Sequence, residues 1–162
     1  MNTWDERPRE VRTLFNPAFC GLVLARGIAE FTDQSGGPMP FSLTLLILPL
    51  SLHKSTRELL IESKRAYLTS ILQAHPEIRV DLAERTRGLF PFTMEAFAYL
   101  TACGAIKVDE HGGITVLEGQ IKKTITGSED TKDCQSVAKA LGAKLAQIKD
   151  RATIYTTLGI RP

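Results

Sequence analysis

Residues 40–60 read PFSLTLLILPLSLHKSTRELL. Apart from Ser42, Thr44, Ser51 and Pro49, every residue in 41–52 is apolar. The run then meets His53, Lys54, Ser55, Thr56 and Arg57. A stretch this apolar belongs in a core, so the polar cluster that follows sits at a core edge, as a reactive site or as an interface. Periodicity does not assign the run, because it is apolar on all sides; a buried strand and a buried helix kinked by Pro49 both fit, and we read it as helix. Ser55-Thr56-Arg57-Glu58 has the pattern of a capping box, with the Ser hydroxyl on the Glu58 amide and the Glu reaching back. A helix is therefore expected from Ser55, burying Leu59 and Leu60. Its pattern runs on through Ala66, Tyr67, Ile71 and Leu72, interrupted near Ser63, and stops at His75-Pro76.

Upstream, residues 1–16 read as a short helix started by Thr3 or Asp5, with Pro8 tolerated in its first turn. Asn16-Pro17 breaks it. A second helix starts at Pro17 and is apolar over most of its surface through Cys20, Leu24, Ala25, Ile28 and Phe31, which makes it central. The loop QSGGP at 34–38 ends it. Downstream, Ile78, Leu82 and Leu89 mark a helix ending at residues 88–91, and Thr93 caps a second through Ala96, Phe97, Tyr99 and Leu100. Residues 105–108 and 114–117 then alternate around a turn over 109–113, a short hairpin. Two helices and a hairpin outline a winged helix-turn-helix. Beyond Gly127, Ser128 or Asp130 caps a long helix with Val137, Ala138, Leu141, Leu145 and Ile148 on one stripe. Ile154, Tyr155, Leu158 and Ile160 suit a short final helix. The expected architecture is mainly α: one helical domain over 1–162, with an N-terminal helical part (1–76), a winged-helix-like unit with a small β-hairpin (77–118) and C-terminal helices (119–162).

The chain has 162 residues and a net charge of +2, which suits one core and an ordinary globular protein. The charge is uneven: residues 75–118 hold four basic and seven acidic side chains, and residues 119–162 hold eight basic and four acidic. Cys20, Cys103 and Cys134 are odd in number and lack CxxC spacing, which argues against a disulfide framework or a zinc site and fits a reducing cytoplasm. The first residues lack the apolar core of a secretion signal. The 41–52 run is shorter than the roughly 20 residues of a membrane helix. The expectation is a soluble, cytoplasmic protein with no membrane contact.

No phosphate-binding loop, GxGxxG turn, HExxH or GxSxG occurs. His53, His75 and His111 lie far apart, so no metal cluster and no cofactor is expected. A helix N-terminus bearing Ser, Thr, Lys and Arg at 53–57 could hold an anion. The preferred reading is structural: Ser55 caps, Lys54 and Arg57 are solvated, and His53 is a polar boundary, with no nearby acid to complete a proton relay. Cys20 reads as core, not nucleophile. If the 77–118 unit touched DNA, its second helix would need base-reading side chains; residues 93–102 hold no Lys, Arg, Asn or Gln. The better DNA-contact candidates are Lys122, Lys123, Lys139, Lys144 and Lys149.

Several pieces taken together resemble one family: Trp4 with Arg7-Pro8 and Glu10; LFNPAFC at 14–20; Leu48-Pro49-Leu50 with Leu52-His53-Lys54 and Thr56-Arg57; Arg85 with Pro91 and Glu95-Ala96; and LGIRP at 158–162. They resemble the middle component of three-component ABC systems, the small accessory subunit of Lamassu-type bacterial antiviral defence. The resemblance implies an adaptor that works with an SMC-like ABC ATPase and an effector, often a nuclease, and it carries no catalytic residues with it. We therefore expect a non-enzymatic subunit that binds the ATPase and helps hold the effector, reaching DNA through the complex. Its interface candidates are His53, Lys54, Arg57 and Arg7. The alternative is a winged-helix DNA-binding transcriptional regulator.

Overall fold

The computed structural model describes residues 6–148 and 150–160. Thr3, Trp4, Asp5, Lys149, Arg161 and Pro162, which figure in the expectations above, lie outside the described residues. In chain order the elements are α1 (Arg9–Leu14), α2 (Pro17–Ser35), β1 (Met39–Pro40), α3 (Phe41–Thr44), α4 (Ile47–Ser51), α5 (Lys54–Glu62) and α6 (Leu68–Ala74). A 3₁₀ turn (Pro76–Arg79) leads to α7 (Leu82–Ala102), β2 (Ile106–Val108), β3 (Gly113–Val116), α8 (Glu129–Ala146) and α9 (Arg151–Leu158). The protein is mainly α-helical, as expected.

Helix α2 is central because its sequence leaves it little polar surface. Asn16 caps it, its Oδ1 accepting from the amides of Ala18 at 2.8 Å and Phe19 at 3.4 Å, and Pro17 supplies the first helical position with φ already set. Gly36 ends it in the left-handed conformation at φ 73°. Cys20, Val23, Leu24, Ala25 and Ile28 are fully buried, enclosed mainly by α8 and α7. The α2–α8 crossing is very close: a Cβ on Gly142 would sit 2.1 Å from the Gly27 carbonyl oxygen. Among the described residues, Arg9–Ser35 is the stretch long and apolar enough to cross a membrane; here its α2 part is the core helix.

The 41–52 run is helical, broken into α3 and α4. Pro49 offers no amide to the carbonyl of Leu45, so the ladder fails one turn earlier, and the chain turns at Leu45-Leu46 through Leu46 N to Leu43 O at 3.2 Å. Within α4, Pro49 occupies the first turn, where its missing N–H has no intrahelical partner. Leu46, Ile47 and Leu48 are completely buried. The Tyr155 hydroxyl donates to the Ser42 carbonyl at 2.6 Å and so ties α9 to α3.

Three expectations are corrected. Helix α1 starts after Pro8, which sits at its N-cap and not in its first turn. Helix α5 starts at Lys54, with His53 at the N-cap, so Ser55 lies inside the first turn, exposed, and no capping box forms. The two helices expected on either side of residues 88–91 are one helix, α7, with Pro91 inside it. A proline there costs about 3 kcal/mol; the burial of Ala96, Phe97 and Leu100 offsets it, and Thr93 bonds back to the Leu89 carbonyl at 3.0 Å instead of capping. The hairpin is present and gains a third strand: β3 lies between β1 and β2, antiparallel to both, with Met39 opposite Ile114 and Ile106 opposite Val116.

Candidate functional site

A chain of short helices has many ends, and each end leaves carbonyls without intrahelical partners. Here cations meet them. Arg57, 6% exposed, donates to the carbonyls of Ser51 at 3.3 Å and Leu52 at 3.2 Å, which close α4, and to Asp130 at 3.0 Å on α8. Arg85 donates to the carbonyls of Pro49 at 3.3 Å, Ile78 at 3.0 Å and Val80 at 3.1 Å, and to the Thr56 hydroxyl at 3.3 Å. Arg26 bonds the carbonyls of Lys123 at 3.2 Å and Thr124 at 3.0 Å. Arg57 is thus an internal clamp between α4, α5 and α8, not the solvated side chain expected.

Around Arg57 and Arg85 lies an open groove of about 1140 Å³. Its walls come from four separate stretches: the α1–α2 corner, the α4–α5 junction, the first half of α7 and the first two turns of α8. Leu14, Phe15, Phe19, Leu22, Leu52 and Leu89 make it largely apolar. Leu14 is 62% exposed. The corner is fixed by Phe15 stacked on Phe92 with centroids 4.5 Å apart. Arg7 lies over the Phe92 ring at 5.6 Å and makes a two-bonded pair with Glu95, one bond being 2.8 Å. That pair holds the Glu95 carboxyl below its ordinary range.

His53, Lys54 and Arg57, expected together at an interface, all line this groove; Arg7 reaches it through Phe92. Burial lowers the His53 pKa, and the Arg85 and Arg57 cations lower it further. Its Nδ1 lies 2.9 Å from the Thr56 hydroxyl. Since Arg85 already donates to that oxygen, the Thr56 proton is free to serve Nδ1 of a neutral ring. Lys54 is exposed, 4.0 Å from Glu58. Cys134 borders the groove, and burial raises its thiol pKa, while the Cys20 thiol in the core is pushed up to about 12; both are packing residues. Among the described residues no three His, Cys, Asp or Glu side chains converge as metal ligands.

The lysines expected to touch DNA divide. Lys122 and Lys123 are exposed in the loop before α8, and Lys149 lies outside the described residues. Lys139 is 3.6 Å from Glu30. Lys144 is corrected: it is 6% exposed, its ammonium on the carbonyls of Ala66 and, at 2.9 Å, Lys64. Lys139 and Lys144 border a second, smaller hollow of about 590 Å³ that also holds Lys64, Arg65 and Tyr67. Lys64 and Arg65 were not singled out from sequence, and Tyr67 was read there as part of an apolar helix pattern, whereas it is exposed. The signal was present as KRAY at 64–67, two cations and an aromatic in a helix break.

Fold and groove together define a mainly helical chain with a large, open, mostly apolar groove. Over residues 4–162 the chain matches the family model described as the ABC-three component (ABC-3C) system Middle Component 3, and it belongs to that family. Comparisons with curated proteins and with solved structures give no match. Membership makes this protein one subunit of a three-component ABC system, in keeping with a place in defence, and implies contact with the other components.

Proposed function

We propose that the protein is a non-enzymatic adaptor that docks on the ABC ATPase component, of SMC-like type, and helps hold an effector subunit, of nuclease type, inactive until foreign or broken DNA is sensed in the cytoplasm. The groove carries this reading. It joins segments from four parts of the chain into one apolar face with Leu14 left exposed, a surface that normally marks a binding site. Its occupant is an apolar segment of the ATPase with carboxylates on its flank: Lys54 is a solvated cation at the rim, whereas the rim carboxylate Asp130 is already paired with Arg57.

The test is co-purification of the three components. Leu14→Glu and Lys54→Glu change exposed groove positions, so folding, followed by circular dichroism, stays as in the wild type. Association with the ATPase is expected to fall at least about 10-fold for Leu14→Glu, as for loss of an interface anchor, and less for Lys54→Glu. A wild-type chain that remains a lone monomer in the presence of both partners overturns the proposal, and so does a Leu14→Glu chain that associates normally.

A further inference from the structure

We propose that the hollow around Tyr67 is a binding site for single-stranded nucleic acid, separate from the apolar groove. Tyr67 is 67% exposed, at the N-cap of α6. Two cations precede it, Lys64 and Arg65, both exposed and neither in an ion pair among the described residues. Helix α8 contributes Lys139, Ala140, Ala143 and the buried Lys144 to the lining of the hollow. Four cations thus face one carboxylate, Glu30, and that carboxylate is 3.6 Å from Lys139.

The turn carrying the tyrosine is held in place. The Lys144 ammonium bonds the carbonyls of Lys64 and Ala66, and the Ala66 amide donates to the Ser63 carbonyl at 3.0 Å. A buried ammonium thus fixes the backbone on which two free cations and an exposed ring are mounted. An ammonium has three N–H donors, and two are engaged here. The loop bearing Lys122 and Lys123 borders the same hollow through Ile125, so further positive charge stands on the chain beside it.

Cations that track phosphates, together with an aromatic ring on which a base stacks, are the elements of single-strand recognition. A duplex hides its base faces and gains only the charge. An acidic peptide would gain the charge and leave the ring without a stacking partner. The site accordingly takes one unpaired base on Tyr67, with the flanking phosphates on Lys64, Arg65 and Lys139.

The experiment uses the full chain alone and needs no partner component. Fluorescence polarisation is read with a labelled 20-nucleotide oligo-thymidine strand, a duplex of equal length and a poly-glutamate peptide. The single strand is expected to bind best, with log K falling against log salt with a slope of about −2, as for three phosphate contacts. Tyr67→Ala weakens the single strand about 10-fold and leaves the duplex unchanged, while Tyr67→Phe binds as the wild type. Arg65→Glu weakens both nucleic acids. Both positions are exposed, so melting temperatures stay within a few degrees. Absence of binding at 50 mM salt overturns the proposal. So does a Tyr67→Ala chain that binds the strand normally, or a peptide that binds as tightly as the strand.

Discussion

The apolar groove and the basic hollow share a helix and differ in what their cations do. The first two turns of α8 border the groove through Asp130, Thr131 and Cys134; a later stripe, Ser136, Lys139, Ala140, Ala143 and Gln147, borders the hollow. In the groove, Arg57 and Arg85 turn to main-chain carbonyls at the ends of short helices, and the surface that remains is apolar. In the hollow, one cation, Lys144, does that work, and Lys64 and Arg65 remain free for solvent. Two depressions with similar numbers of basic residues therefore offer different chemistry. What decides is which cations the backbone already engages.

The strongest way to break this comparison is at the element both depressions share. Gly142→Ala places a methyl where the Gly27 carbonyl stands, and backbone cannot yield as a side-chain tip does. A loss of roughly 3 kcal/mol is expected, read from urea unfolding, with binding at both depressions lost together. A smaller effect separates two cations only three residues apart. Arg57→Ala strands the carbonyls of Ser51 and Leu52 and is expected to cost about 2 kcal/mol, whereas Lys54→Ala, on a solvated side chain, stays within about 0.5 kcal/mol. Equal midpoints for the two variants would erase the distinction between an engaged and an offered cation.

The smallest effect concerns the titratable ring at the groove rim. The folded state lowers the His53 pKa, so in acid the unfolded chain takes up this proton first. The histidine's share of stability is full above its ordinary value of about 6.5 and is lost as pH falls below it toward the folded value. The urea midpoint of the wild type is expected to drop more between pH 7.5 and 5.5 than that of His53→Gln. Parallel curves would remove His53 from the groove's electrostatics.

Local signals in the sequence carried much of the fold. Asn16-Pro17 set the start of α2, Ser128 caps α8, and the Gly112-Gly113 turn set the hairpin; each acts over a few residues and needs nothing from elsewhere. Elsewhere, local reading failed where a distant partner decides. The Ser55–Glu58 pattern suits a capping box, yet the helix takes His53 as its N-cap and starts at Lys54, while Arg57 reaches back to the carbonyls at the end of α4. Gly88 and Pro91 are breakers in isolation, and packing on α2 overrides both. The apolar run at 41–52 was legible as core, and His53, Lys54 and Arg57 were legible as neighbours. The groove around them was not, because Leu14, Leu52, Leu89 and Asp130 come together only in the fold. Nor did a count of lysines reveal that Lys144 points at carbonyls.

The crossing of α2 and α8 has a mechanical meaning. Where two helices touch main chain to main chain, at Gly27 and Gly142, no layer of side chains can deform between them. Helix α8 cannot roll about its own axis without dragging α2, so its two ends keep one fixed bearing. Two molecules seated against its first two turns and its later stripe would therefore be held at one fixed separation and orientation. That is the behaviour of a stiff coupling, and it differs from that of a hinge.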